Sequence, residues 1–200
     1  MDNIYFINKY RIPSARADWH DYDGGLYFVT ICTKNREHYF GEIDKKGMRL
    51  SAIGIYAQDC IQQTPDHHPY ADVPLFVVMP NHIHAIVSID SGKTPHNKRS
   101  IESLYGINNG VMTGDEDDVE DIEPQKKGTS TQFATQMQTW LSVVIRMFKA
   151  SVTRFAKANY IQFGWQTRFH DHIIRNNEEL NGIAQYIENN VAKWIFDKCR

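Results

Sequence analysis

His82 and His84 are separated by one residue in the stretch Val77-Val78-Met79-Pro80-Asn81-His82-Ile83-His84-Ala85-Ile86-Val87-Ser88-Ile89. In an extended strand alternate side chains share a face, so both imidazoles project together while Ile83, Ala85, Val87 and Ile89 point the other way. Two imidazoles on one face can grip a divalent cation but cannot saturate it. A third ligand and open positions are therefore expected. The plain alternative is a pair of polar residues on the wet side of a half-buried strand, because a short motif means little outside its context. That context must supply a further ligand and a nucleophile.

A second pair with the same spacing is His170-Asp171-His172. Here the middle residue is charged, and Arg168 and Arg175 lie close by, so this stretch reads as solvated on both sides. The first pair is preferred for metal and the second for phosphate contact or a merely polar role. Tyr186 and Asn190 are four apart in a helical pattern, hence on one face. Asn190 can offer an oxygen ligand. Tyr186 can offer a phenolate nucleophile if a metal steadies charge nearby. A half-buried tyrosine at the edge of an apolar stripe is the ordinary alternative.

The elements that must position these groups follow from the pattern. Two hundred residues with 42% apolar and 23% charged content suit one globular domain. No apolar run approaches a membrane span, so no membrane partner is expected. The start, Met1-Asp2-Asn3-Ile4-Tyr5-Phe6, lacks a basic segment leading into an apolar one and does not read as a secretory signal. Cys32, Cys60 and Cys199 are far apart, which fits a reduced, cytoplasmic thiol set. The net charge of −2 hides an acidic run, Asp115 to Glu123, holding 7 of the 24 acidic residues. Without it 22 basic face 17 acidic residues, a mildly basic body compatible with a nucleic-acid partner.

Residues 1–25 read as an irregular arm, with Arg11 and Arg16 solvated or touching phosphate. Leu26 to Thr33 is a β-branched and aromatic strand. A small hairpin over Tyr39–Leu50 follows at the sheet margin. Ser51 caps a helix to about Gln63 that Pro65 stops, and His67-His68 fall in an exposed loop. Val73–Val78 and His82–Ile89 form an antiparallel hairpin across a Pro-Asn turn. Residues 91 to about 130 read as a loop-like acidic insertion. From Thr131 to about Ala158, Phe133, Met137, Trp140, Leu141, Val144, Phe148, Val152 and Phe155 mark a long amphipathic helix. Its outer side carries Arg146, Lys149, Arg154 and Lys157, a solvated stripe or the lining of a nucleic-acid groove. Gly164–Arg175 reads as a ragged strand. Asn176 with Glu179 begins a last helix.

The chain resembles the single-tyrosine HUH transposases of small bacterial insertion sequences, and most of all their REP-associated relatives. Three stretches carry the likeness. Val78-Met79-Pro80-Asn81-His82-Ile83-His84 looks like the HUH motif with its M-P-N-H lead-in. Trp165-Gln166 through Ile173-Ile174-Arg175 is similar to the family's W-Q segment ending in I-I-R. Tyr186-Ile187-Glu188-Asn189-Asn190 resembles Y-I-x-x-N. The likeness covers about residues 20–90 and 131–196. The chain departs from the family in having Val191 where proline usually follows, and in carrying the acidic insertion.

The resemblance implies a ferredoxin-like α+β fold, a central antiparallel sheet with helices packed on one face. It implies cleavage and rejoining of single-stranded or hairpin DNA through a 5′-phosphotyrosine. Tyr186 would be the nucleophile, with Mg²⁺ or Mn²⁺ held by His82, His84 and Asn190. DNA would lie along Arg146, Lys149, Arg154 and Lys157, with Trp165, Gln166, Arg168 and Arg175 also in contact. The protein would act as a monomer or homodimer. Two other classes stay open from the residues: a metal-dependent phosphodiesterase using water, and a non-catalytic hairpin-DNA-binding protein.

Overall fold

The computed structural model describes residues 24–95 and 139–194, with the backbone of two short paired strands, β1 (Tyr5–Phe6) and β2 (Tyr10–Arg11). The rest of the expected N-terminal arm lies outside the described residues. The chain divides into two units, Met1–Thr94 with Thr139–Arg200, and Pro95–Gln138. The acidic run falls in the second unit and outside the described residues. Ser91–Lys93 is a short 3-10 turn of the first unit, capped by Asp90, whose Oδ1 accepts from the Gly92 N–H. The first unit therefore runs a few residues past the expected start of the insertion.

Four strands build the sheet: β3 (Gly25–Cys32), β6 (Ala71–Val78), β7 (His82–Ile89) and β8 (His170–Ile173). Their spatial order is β6-β7-β3-β8, every pair antiparallel. With helices between β3 and β6 and between β7 and β8, this is the β-α-β-β-α-β arrangement of ferredoxin-like α+β proteins. Pro74 sits on edge strand β6 at a register shift between Asp72 and Leu75, where a missing N–H does least harm. β4 (Gly41–Asp44) and β5 (Gly47–Leu50) form a separate hairpin. The expected strand over 164–175 shrinks to β8. Before it, Trp165 makes only an isolated bridge to Thr33.

α1 (Ala52–Gln62) starts where Ser51 Oγ accepts from the Gly54 N–H, and it buries Ile53, Ala57 and Ile61. At Gly54 the helix passes so close to the Phe40 carbonyl that an added Cβ would lie 2.1 Å from that oxygen. Phe40 is fully buried and cannot retreat. Gly54→Ala should therefore lower unfolding stability by about 1–3 kcal/mol, read from a denaturant midpoint. An unchanged midpoint would mean that this backbone contact is loose.

Pro65 opens a single turn, α2 (Thr64–His67), because proline suits the first positions of a helix. His67 is exposed as expected, but His68 is not. It is 5% exposed and packs on Tyr70, whose hydroxyl lies 3.1 Å from Nδ1. Burial first, and the neighbouring His67 second, push its pKa down to about 4.

α3 (Trp140–Ala158) begins later than the periodicity predicts. Thr139 is extended, and its Oγ1 accepts from the Ser142 N–H, which fixes the helix start. Residues 131–138 lie outside the described residues. α3 and α1 pack together and reach β7 and β6. The opposite layer is α4 (Asn177–Glu188), capped by Asn176 Oδ1 on the Glu179 N–H. Its stripe Leu180, Ala184 and Ile187 packs on Leu26, Ile86 and Ile174. So α1 and α3 supply the helices expected on one face, and α4 adds cover to the other. Among the described residues no helix is long and apolar enough to cross a membrane.

Candidate active site

Strand alternation sends His82 and His84 to the α4 side of β7, and Ile83, Ala85 and Val87 to the other. All five are buried, so the histidines are not on a wet face: His82 is 0% exposed and His84 3%. Their rings lie 4.5 Å apart, centroid to centroid. The turn before them is held from both sides. Met79 N–H closes it on the His82 carbonyl, while Phe40 N–H takes the Pro80 carbonyl and Thr33 N–H the Asn81 carbonyl.

Register places Thr30 opposite His84. Thr30 Oγ1 lies 2.8 Å from His84 Nδ1, which leaves Nε2 facing α4. Tyr186 meets it there: its hydroxyl is 3.1 Å from His84 Nε2. Phe28 stacks on His84 and presents an edge to Tyr186. Burial above all, with help from His82, pushes His84 down to about 3, so its ring is neutral across the physiological range.

Asn190 is not on the helix that carries Tyr186. α4 ends at Glu188, Asn189 caps it, and Asn190 sits in the turn that follows. That turn brings Trp194 to stack on His82 at 6.0 Å. In sequence Asn190 thus lies midway between Tyr186, which touches His84, and Trp194, which touches His82. It is 2% exposed, and its Oδ1 has no hydrogen-bond partner. A buried amide oxygen left so costs about 1–3 kcal/mol unless something fills the gap. Two imidazoles and one oxygen are a donor set that fits a divalent cation. Among the described residues no cluster of three His, Cys, Asp or Glu exists, so the amide is needed to complete it.

The second pair differs in every respect. His170 and His172 are exposed on edge strand β8, and His172 Nε2 is committed to Glu179 Oε1. Burial would raise the Glu179 carboxyl. The Arg175 N–H on Oε2, the His172 ring and the charges of both hold it below its ordinary value instead. A carboxyl depressed by folding adds stability above its unfolded pKa, which is lost as pH falls through the folded one. Glu179→Gln should flatten the acid limb of a stability-versus-pH curve. An identical acid limb would mean that the pair carries no linkage.

The expected basic stripe is broken. Arg154 and Lys157 are exposed, but Arg146 and Lys149 are half-buried. Lys149 Nζ donates to the Gln166 carbonyl at 2.7 Å and lies 5.5 Å over the Trp165 ring. Burial pushes its pKa down to about 8, against a small upward pull from Cys32. Trp165 donates Nε1–H to the Lys149 carbonyl and packs among Phe40, Phe148 and Phe163. It is a packing residue. Gln166, Arg168 and Arg175 are exposed. Thr30, Asn81 and Trp194 were not singled out from the sequence, and only Asn81, adjacent to His82, carried a local signal.

No family model matches the chain. A solved REP-associated tyrosine transposase bound to a REP hairpin superposes with a TM-score of 0.50 at 19% identity, covering 88% of this chain and 72% of that one. The fold is therefore that of the REP-associated tyrosine transposases. A Haemophilus influenzae (strain ATCC 51907 / DSM 11121 / KW20 / Rd) protein described only as "Uncharacterized protein" is 33% identical over 200 residues, spanning 99% of this chain and 98% of its own length. The chain belongs to one family with that protein. A second protein of the same strain, described as "Putative REP-associated tyrosine transposase", is 25% identical over 170 residues, 85% of this chain and 72% of its own length.

Proposed function

We propose that this protein is a metal-dependent strand transferase acting on single-stranded, hairpin-bearing DNA through a 5′-phosphotyrosine. The observation that carries the reading is the Tyr186 hydroxyl 3.1 Å from His84 Nε2, across 102 residues of sequence. It joins a nucleophile to the candidate ligand pair. The DNA class is taken from the solved transposase and its REP hairpin.

His82, His84 and Asn190 would hold Mg²⁺ or Mn²⁺, and the cation when bound neutralises charge on the scissile phosphate. Tyr186 Oη attacks the phosphorus. The P–Oη bond forms, the P–O3′ bond breaks, and a free 3′-OH is released. The phenolic proton passes to solvent, which reaches the 41% exposed Tyr186, and O3′ takes a proton from water. The bond energy stays in the phosphotyrosine, so rejoining to another 3′-OH needs no nucleotide cofactor. Arg154, Lys157, Arg168 and Arg175 are exposed cations available to the DNA backbone.

The test is incubation with hairpin-bearing single-stranded oligonucleotides and Mn²⁺, followed by denaturing electrophoresis. An SDS-stable protein–DNA adduct is expected. Cleavage without an adduct would replace this reading with water-mediated hydrolysis. Binding with neither cleavage nor adduct would leave a hairpin-binding protein.

A further inference from the structure

We propose that Asn81 is a positioning residue that sets the proton of His82, and that the left-handed turn at Asn35 and Arg36 orients Asn81 for this task. The reasoning starts at a backbone carbonyl. Asn35 and Arg36 have φ of 53° and 57°, two successive non-glycine residues in the left-handed region. Such residues are uncommon and costly, and they persist only where the surroundings hold them. Here the turn delivers the Arg36 carbonyl to Asn81, whose Nδ2 donates to it at 3.1 Å.

That single contact fixes the amide. A carbonyl only accepts, so the NH₂ of Asn81 must face Arg36 and Oδ1 must face the other way. Oδ1 lies 2.8 Å from His82 Nδ1. An amide oxygen also only accepts, so Nδ1 must carry the hydrogen. In the neutral ring Nε2 is then the nitrogen with the lone pair. Asn81 is 1% exposed, so water does not compete for either contact. Its own carbonyl accepts from the Thr33 N–H and the Thr33 hydroxyl, which anchors it to the end of β3. A relay thus runs from Arg36 carbonyl to Asn81 amide to His82 ring, with a direction at each step.

The relay rests on the proposed function only in what it is for: a ligating histidine must present a lone pair, and a partner on the other ring nitrogen provides this. The relay itself is tested without metal. Nitrogen-15 NMR of the metal-free protein at neutral pH should show His82 as the Nδ1–H tautomer. An Nε2–H His82 would overturn the proposal outright, whatever any variant does. Asn81→Ala should move His82 toward Nε2–H and lower Mn²⁺ affinity by about 10–100-fold. Asn81→Asp keeps an acceptor at Nδ1 and should retain the Nδ1–H tautomer, although it loses the donor to the Arg36 carbonyl. A His82 ring that is still Nδ1–H in Asn81→Ala would show that Asn81 serves packing alone. If wild type binds no Mn²⁺ but shows the Nδ1–H ring, the metal reading fails and the relay stands.

Discussion

Tyr186→Phe should form no covalent adduct and cleave no DNA, while folding normally and binding hairpins as wild type does. Phenylalanine fills the same space beside Phe28 and keeps the helix face, and the lost hydroxyl is the one 3.1 Å from His84 Nε2. The same variant has a second, less obvious expected effect. Tyr186 engages His84 Nε2 whichever group donates, so a cation can take that nitrogen only after the phenol has left. Removing the hydroxyl removes the competitor. One hydrogen bond is worth about 0.5–1.5 kcal/mol net, so Mn²⁺ should bind Tyr186→Phe about 2–10 times more tightly. Calorimetric titration checks this. Unchanged cleavage by Tyr186→Phe would assign the chemistry to water. An adduct mapped by peptide sequencing to Tyr160 would assign it to a different tyrosine.

His82→Ala should abolish cleavage at limiting Mn²⁺ and leave hairpin binding within a few-fold of wild type. The ring sits fully buried between Trp194 and His84, so the variant should also lose about 0.5–3 kcal/mol of stability without unfolding. Loss of an outer-shell partner alone lowers metal affinity by about 10–100-fold, and loss of a ligand should exceed that. His172→Ala is the matched control. His172 is exposed and paired with Glu179, so its loss should not change Mn²⁺ binding. If His172→Ala abolished binding and His82→Ala did not, the wrong pair of histidines would have been assigned.

Helix starts marked by side-chain caps were legible in the sequence. Ser51 and Asn176 each accept from the N–H three residues on, as a residue of that type before an apolar period should. The start of α3 was not legible. Phe133 and Met137 extend the apolar spacing seamlessly, and only the extended backbone of Thr139 reveals where the helix begins. The end of α4 was missed for a related reason. A spacing of four puts Tyr186 and Asn190 on one helical face, but Asn189 already caps the helix. Tyr186 is on the helix and Asn190 is in the turn after it. The histidine face was legible as a face, though not as a buried one, because its cover comes from α4 and Trp194 far along the chain. The packing of Trp165 was not legible for the mirror reason. Phe40 and Phe148 enclose it from segments that no local window sees.

The separation of 102 positions from His84 to Tyr186 also has a meaning in time. At about 5–20 residues per second, a ribosome needs roughly 5–20 s to travel from one to the other. During that interval the nascent chain carries its histidine strand but has no phenol to present to it. Tyr186 is synthesised after all four strands of the sheet, so it docks on strands that have already been made. An enzyme of the kind proposed would therefore make its histidine strand before it carries its nucleophile.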